Sequence, residues 1–398
     1  MDRRFFLKGA ALIGCSAAAM PLFTPVSFAA MPGENRLVVI ILRGAMDGLD
    51  VVQPYGDPDL RRLRPALSMG PQGGALDLDG FYAMHPALKS LMPLWQKGQL
   101  AFAHAVATPY RDKRSHFDGQ DLLEAGIAGN GPVPSSQDGW LNRLLQTMPE
   151  TSAETAWSVG AQEMLLLAGR APIRSWEPDT DLALTPQAQL LLGQVYHDDP
   201  LFRQAAEAAI EIDTRATEVM NADAAPQAKD APRPSNAARL AAYSAARLNE
   251  EARIASFSIT GWDSHKNQPG VLGGALKQLA EAILTLQRDL GPHWDRTTVM
   301  ALTEFGRTVR QNGTQGTDHG TGGAMLMAGG AVRGGRVYGD WPGLADGKLF
   351  EDRDLMPTRD VRAYPAWAMA GLFGIDATRL TGTVFPGLDL GQNPGILL

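Results

Sequence analysis

Ala255-Ser256-Phe257-Ser258-Ile259-Thr260, the stretch from Gly273 to Leu290, and Thr298-Val299-Met300-Ala301-Leu302-Thr303 together decide the fold of this chain. The two outer segments are short apolar runs of strand length. Between them Leu276, Leu279, Ile283, Leu286 and Leu290 recur at three- and four-residue spacing, which lays one apolar stripe along a helix. Strand, helix, strand in this order is a crossover unit, and crossovers join parallel strands. A further strand is predicted at Ala324-Met325-Leu326-Met327-Ala328, ended by Gly329-Gly330.

Working outward, Val38-Val39-Ile40-Ile41-Leu42 and Leu100-Ala101-Phe102-Ala103-His104-Ala105-Val106 read as two more strands. Four of these strands run straight into polar residues: Asp47 after the first, Ser115-His116 after the second, Asp263-Ser264-His265 after the third, and Glu304 after the fourth. In an open parallel sheet the strand C-termini share one edge, and ligands bind in the crevice there. The expectation is a doubly wound, mostly parallel α/β sheet that brings these distant residues into one pocket.

The first thirty residues read as an address. Arg3-Arg4-Phe5-Phe6-Leu7-Lys8 is a twin-arginine motif, an apolar stretch follows from Ala10 to Phe23, and Ser27-Phe28-Ala29 supplies small residues for cleavage. The apolar stretch is broken by Pro21 and falls short of the roughly 20 residues a membrane span needs. Residues 1–30 are thus expected to be a Tat signal peptide, engaging the Tat translocase during export to the periplasm. A second reading is a lipoprotein box ending at Cys15. Cys15 is the only cysteine, so the chain after cleavage has no thiolate ligand and no disulfide. After the signal there is no second apolar run long enough to span a bilayer. A net charge of −7 without a basic stripe argues against a nucleic-acid partner.

Residues 31–398 read as one α/β domain. Residues about 183–253 are rich in Ala, Leu and Gln, and are expected to be a helical insertion, interrupted between Pro226 and Pro234.

The polar motifs each carry two readings. Asp263 and His265 are good ligands for zinc or another first-row metal, and His319 lies in the glycine-rich turn Thr317-Asp318-His319-Gly320-Thr321-Gly322-Gly323. Either histidine alone reads first as a loop residue bonded to a carbonyl, but the two motifs flank one strand–helix–strand unit and can converge. Glu304 can ligate a metal and Arg307 can hold an anion in its fork, or the two can pair with each other at a helix start. Ser115 can be a nucleophile at a helix N-terminus, with His116 as ligand or base and Arg114 as anion clamp. Ser115-His116-Phe117-Asp118 is also a helix-capping pattern. Asp47 can be a ligand or a turn former, because Asp47-Gly48 is an ordinary turn signal. His85 reads as beginning a helix at Pro86, and His104 as buried within its strand.

The run from Leu42 to Asp50, with Arg114 to Gln120, Trp262 to His265, Thr303 to Thr308 and Thr317 to Gly323, resembles domain-of-unknown-function family 1501. That family is typically Tat-exported and is grouped with the alkaline phosphatase and sulfatase superfamily. The resemblance implies an alkaline-phosphatase-like sheet, a two-metal site and a nucleophilic hydroxyl between the metals. Asp47 resembles the carboxylate ligand after the first strand, and Ser115 stands where the nucleophile is expected. Asp263, His265 and His319 resemble the ligands of the other metal, and Glu304 matches the carboxylate of an Asp-His pair. Phe305 stands where that pair has its histidine, which leaves the second metal site incomplete, or filled by His116 or Asp318, and keeps a one-metal site, a different ester and lost catalysis open.

The expected function is a periplasmic metal-dependent hydrolase of phosphate or sulfate esters, acting on a small-molecule or glycan ester. It would use one or two divalent ions (zinc, manganese or calcium), with Ser115, His116, Arg114 and Arg307 as catalytic groups. The alternatives are a non-catalytic relative with a degraded metal site, acting as a binding or assembly partner, and a metal-free ester hydrolase. The last lacks a Gly-x-Ser-x-Gly elbow around Ser115.

Overall fold

The computed structural model describes residues 33–111, 113–129, 133, 137–148, 151–160, 164–177 and 234–398. The expected signal peptide and most of the expected helical insertion lie outside the described residues.

Among the described residues, nine strands form one sheet: β1 (Arg36–Leu42), β2 (Leu100–Ala107), β3 (Ala156–Val159), β4 (Arg174–Trp176), β5 (Ile254–Ile259), β6 (Thr297–Thr303), β7 (Gly323–Ala328), β8 (Arg336–Tyr338) and β9 (Arg359–Asp360). Their order is β8-β2-β7-β6-β1-β5-β3-β4, with β9 also paired to β2. All pairings are parallel except those of β7, which runs antiparallel to both β2 and β6. The sheet is therefore mixed and mostly parallel. The four strands that end at polar motifs all point the same way, so their C-terminal ends share one edge.

Every residue of β1 is buried. Val38, Ile40 and Leu42 enter the core on one face, and Leu37, Val39 and Ile41 the core on the other. A strand covered on both sides reads as an unbroken apolar run. On one face lie α3 (Asn236–Leu248) and α4 (Gln268–Leu290), and on the other α2 (Trp140–Thr147) and α5 (Ala363–Phe373). This is the doubly wound arrangement.

The crossover that decides the fold joins two parallel strands, as expected, and its helix start differs. Its strands β5 and β6 do not pair with each other, because β1 lies between them. Its helix starts at Gln268 rather than Gly273, with Asn267 at the N-cap and Pro269 in the first turn. Pro is tolerated there because its missing N–H has no partner in a first turn. Gly273 and Gly274 then sit inside the helix despite their low propensity. The buried stripe from Leu272 to Leu290 holds them there, since each buried Leu or Ile contributes about 1.5–3 kcal/mol.

Candidate metal centre

Glu304 follows β6 directly and is fully buried. Its Oε1 accepts the N–H groups of Gly44 and Ala45, at 2.9 and 3.0 Å, and the Nε2 of Gln120 at 3.1 Å. Gly44 and Ala45 both have positive φ, so their two amides form an anion-holding concavity. A Cβ on Gly44 would stand 2.7 Å from the amide nitrogen of Asp263, so only glycine lets the loops after β1 and β5 touch.

The same Oε1 accepts from His116 Nδ1 at 2.7 Å. His116 is the first residue of α1 (His116–Ala125), with Ser115 as its N-cap. His265 Nδ1 bonds to Asp318 Oδ1 at 3.1 Å, and His319 Nδ1 to the Arg114 carbonyl at 2.8 Å. A carbonyl or carboxylate can only accept, so each Nδ1 carries the proton and each Nε2 presents a lone pair.

Those three Nε2 atoms converge on one carboxylate. His265 Nε2 is 3.1 Å from Asp263 Oδ1, His319 Nε2 is 3.5 Å from it, and His116 Nε2 is 3.6 Å from Oδ2. His265 and His319 bring their Nε2 atoms within 3.0 Å of each other. His116 Nε2 is buried without a hydrogen-bond partner. Among the described residues, His116, Asp263 and His319 offer ligand atoms within 4.8 Å of one another. Four acceptors facing each other fit a bound cation, and each imidazole already has the outer-shell acceptor that metal-ligating histidines use.

The local electrostatics agree. Burial works against ionising Asp263, but the Arg307 guanidinium, 2.5 Å from Oδ1, holds the carboxyl below its usual range. The bond to Glu304 raises the pKa of His116 against the opposing effect of burial. Burial lowers that of His319. Asp263 is 46% exposed and His265 41%, so the cluster opens to solvent on one side. Phe305 closes the other side: it is buried and stacks on His116 with ring centroids 5.2 Å apart, and lies 5.3 Å from His319.

The remaining expected site residues are placed differently. Asp47 is buried and caps a short helix at Gly48–Val51. Its Oδ2 accepts from Arg64 and Gln268, each at 2.7 Å. Asp50 shares the Gln268 amide, and burial together with Asp47 raises its pKa to about 6. Gln268 in turn accepts the hydroxyls of Ser264 and Thr317, which ties this network to the loops carrying His265 and His319. Glu304 orients His116 and does not face Asp263. Arg307 is fully buried and clamps loops, donating to the carbonyls of Ala45, Thr317, Gly44 and Trp262 as well as to Asp263. The Arg114 side chain bonds to Glu351 and Asp354, and its backbone carbonyl holds His319. Ser115 Oγ accepts the Asp118 N–H at 3.4 Å, a long capping bond, in the loop between the His319 anchor and His116. His85 caps the turn at Pro86, and His104 is buried in β2.

Sequence reasoning missed Gln120, the Gly44–Ala45 amide pair and Gln268. Gln120 was open to discovery, because it stands four residues after His116 on the same helix face. The amide pair has no side chain to announce it.

An α/β chain with a mixed, mostly parallel sheet and a histidine–carboxylate cluster at its strand ends is the class this geometry defines. The chain belongs to the family described as Protein of unknown function (DUF1501), whose model matches residues 34–383. No curated protein matches it. Among solved structures it is similar to a protein in the alkaline phosphatase superfamily from Vibrio parahaemolyticus, at 14% identity and TM-score 0.35, over 83% of this chain and 69% of that one. It is also similar to Ps i-CgsB (10% identity, TM-score 0.42, 87% and 74% covered). A third is the C-terminal periplasmic domain of EcEptC from Escherichia coli in complex with Zn (10% identity, TM-score 0.38, 75% and 73% covered).

Proposed function

We propose that this chain is an exported, metal-dependent hydrolase of phosphate or sulfate esters. The observation that carries the reading is the meeting of three imidazole lone pairs on the Asp263 carboxylate, with each Nδ1 already tied to an acceptor. A bound divalent ion would polarise the ester oxygen and lower the pKa of an attacking hydroxyl. Asp263, His265, His319 and His116 would hold it. Arg307 keeps Asp263 in place, the Arg114 carbonyl keeps His319 in place, and Glu304 does so for His116. Ser115 is the proposed nucleophile: it adjoins His116, and its cap bond is long enough to release the hydroxyl at little cost.

The test uses full-length protein exported through its own signal. At least about one equivalent of a divalent metal, hydrolysis of aryl phosphate or aryl sulfate esters, and loss of that activity in Ser115→Ala support the reading. Among the described residues, no helix is long and apolar enough to cross a membrane. Export is tested by fractionation: replacing Arg3 and Arg4 with lysine should leave the precursor in the cytoplasm.

One observation favours a second reading, a non-catalytic binding partner. Arg307, one expected anion clamp, is committed to internal partners, and Arg114, the other, pairs through Nη2 with Glu351 and Asp354. Metal-bound protein inactive on both ester classes, and unchanged by Ser115→Ala, would select it.

A further inference from the structure

The two-ion site that the resemblance implies needs a second set of donors, and most of the carboxylates that could supply one have other partners. Glu304 Oε1 is taken up by two backbone amides, Gln120 and His116, while Oε2 lies 3.0 Å from the Thr303 hydroxyl, whose one proton is shared with the Leu42 carbonyl at 2.9 Å. Asp47 is engaged by the Leu49 N–H, Arg64 and Gln268. Phe305 adds a ring where a ligand would be needed, and that ring packs on His116. Asp318 Oδ1 accepts from His265 and, at 3.4 Å, from Asn312. What remains is one donor set of three imidazole nitrogens and one carboxylate.

We propose that this site takes a single first-row transition ion of the zinc type on Asp263, His116, His265 and His319, and that Glu304 is the carboxylate that positions His116 rather than a ligand. This rests on the reading of the cluster as a metal centre. Donor chemistry selects the ion. Calcium and magnesium are hard cations that take oxygen ligands, whereas imidazole-rich sets suit zinc and its first-row neighbours. The Glu304–His116 bond fixes the ring so that Nε2 faces Asp263, and a carboxylate in that role raises the basicity of the ligand.

Full-length protein is stripped with a chelator and titrated separately with zinc, cobalt(II), calcium and magnesium. Bound metal is counted by elemental analysis, and the donors are read from X-ray absorption and the cobalt(II) visible spectrum. The expected result is one equivalent of zinc or cobalt with a nitrogen-dominated first shell, and no binding of calcium or magnesium at comparable concentration. Glu304→Gln should keep that one-to-one stoichiometry while affinity falls about 10- to 100-fold.

Two equivalents per chain, or one that falls to zero in a folded Glu304→Gln variant, would overturn the inference while leaving a metal centre standing. A preference for calcium or magnesium would do the same. Protein that binds none of the four ions would remove the metal-centre reading itself. If Glu304→Gln does not fold, the wild-type stoichiometry and spectrum decide the question, and Gln120→Ala, which loosens the same carboxylate, should lower affinity without changing the count.

Discussion

The Nε2 atoms of His265 and His319 stand 3.0 Å apart while each ring spends its Nδ1 proton on another acceptor. Two lone pairs at that separation repel unless something positive lies between them. His319→Ala or His265→Ala should therefore abolish high-affinity zinc binding. Wild-type protein should gain thermal stability on adding zinc, since a ligand at 100 times its Kd stabilises by about 2.7 kcal/mol. Differential scanning fluorimetry with and without zinc measures both. A zinc-induced rise in Tm of equal size in wild type and His319→Ala would contradict the assignment.

Gly44 joins the two halves of the site. It has φ of +122°, and any Cβ there would meet the Asp263 amide nitrogen at 2.7 Å. Gly44→Ala should cost about 2 kcal/mol or more of folding stability, because it combines a strained backbone with a clash against another backbone. Urea unfolding measures the loss. Zinc affinity should fall with it, because the loop carrying Asp263 must shift. Unchanged stability would mean that the two loops do not touch in solution.

Much of this was legible in the sequence, and the reasons differ by element. Buried strands such as Val38–Leu42 announce themselves through composition, and the stripe of α4 through its period. That His116, Asp263 and His265 lie at one edge follows from strand direction, since the parallel strands before them must end there; His319, which precedes the antiparallel β7, does not follow from it. Strand order was not legible: nothing in β5 or β6 tells that β1 will insert between them, or that β7 will run antiparallel. Nor was the division of labour among the carboxylates. Asp47, Asp263 and Glu304 all follow strand ends, and only the packed structure shows which one faces the imidazoles and which are consumed by Arg64, Gln268 and the Gly44–Ala45 amides.

His104 gives the fold an acid limit. It is 1% exposed within β2, its Nδ1 accepts the Ala105 N–H, and its Nε2 meets the Val52 carbonyl at 3.1 Å, so the ring is neutral. Burial lowers its pKa to about 4. A histidine whose folded pKa lies below its unfolded value contributes stability that is complete above about pH 6.5 and is lost as pH falls towards 4. The contribution at stake is on the order of 3 kcal/mol. His104→Gln keeps a donor for Val52 but cannot titrate. Unfolding free energies at pH 7 and 4.5 should therefore differ less in this variant than in wild type. Equal pH slopes would assign the acid sensitivity to other groups, with His85 the first candidate, since burial lowers its pKa to about 4 as well.

Arg307 decides between two uses of a guanidinium at this edge of the sheet. A residue that binds a substrate anion needs free donors, whereas Arg307 directs Nε, Nη1 and Nη2 at four loop carbonyls and Asp263 while fully buried. Lysine keeps the charge but cannot reach that set, because its three donors sit on one atom and lack the planar fork. Arg307→Lys should lower folding stability by about 2 kcal/mol, as expected when the carbonyl partners of a buried guanidinium are left incomplete. It should also weaken zinc binding, because Asp263 loses the group that holds it in place. A substrate-binding role gives the opposite pattern: KM rises for the ester while thermal stability and zinc affinity stay at wild-type values. Measuring all three on one preparation separates the two, and the packing of Arg307 favours the first.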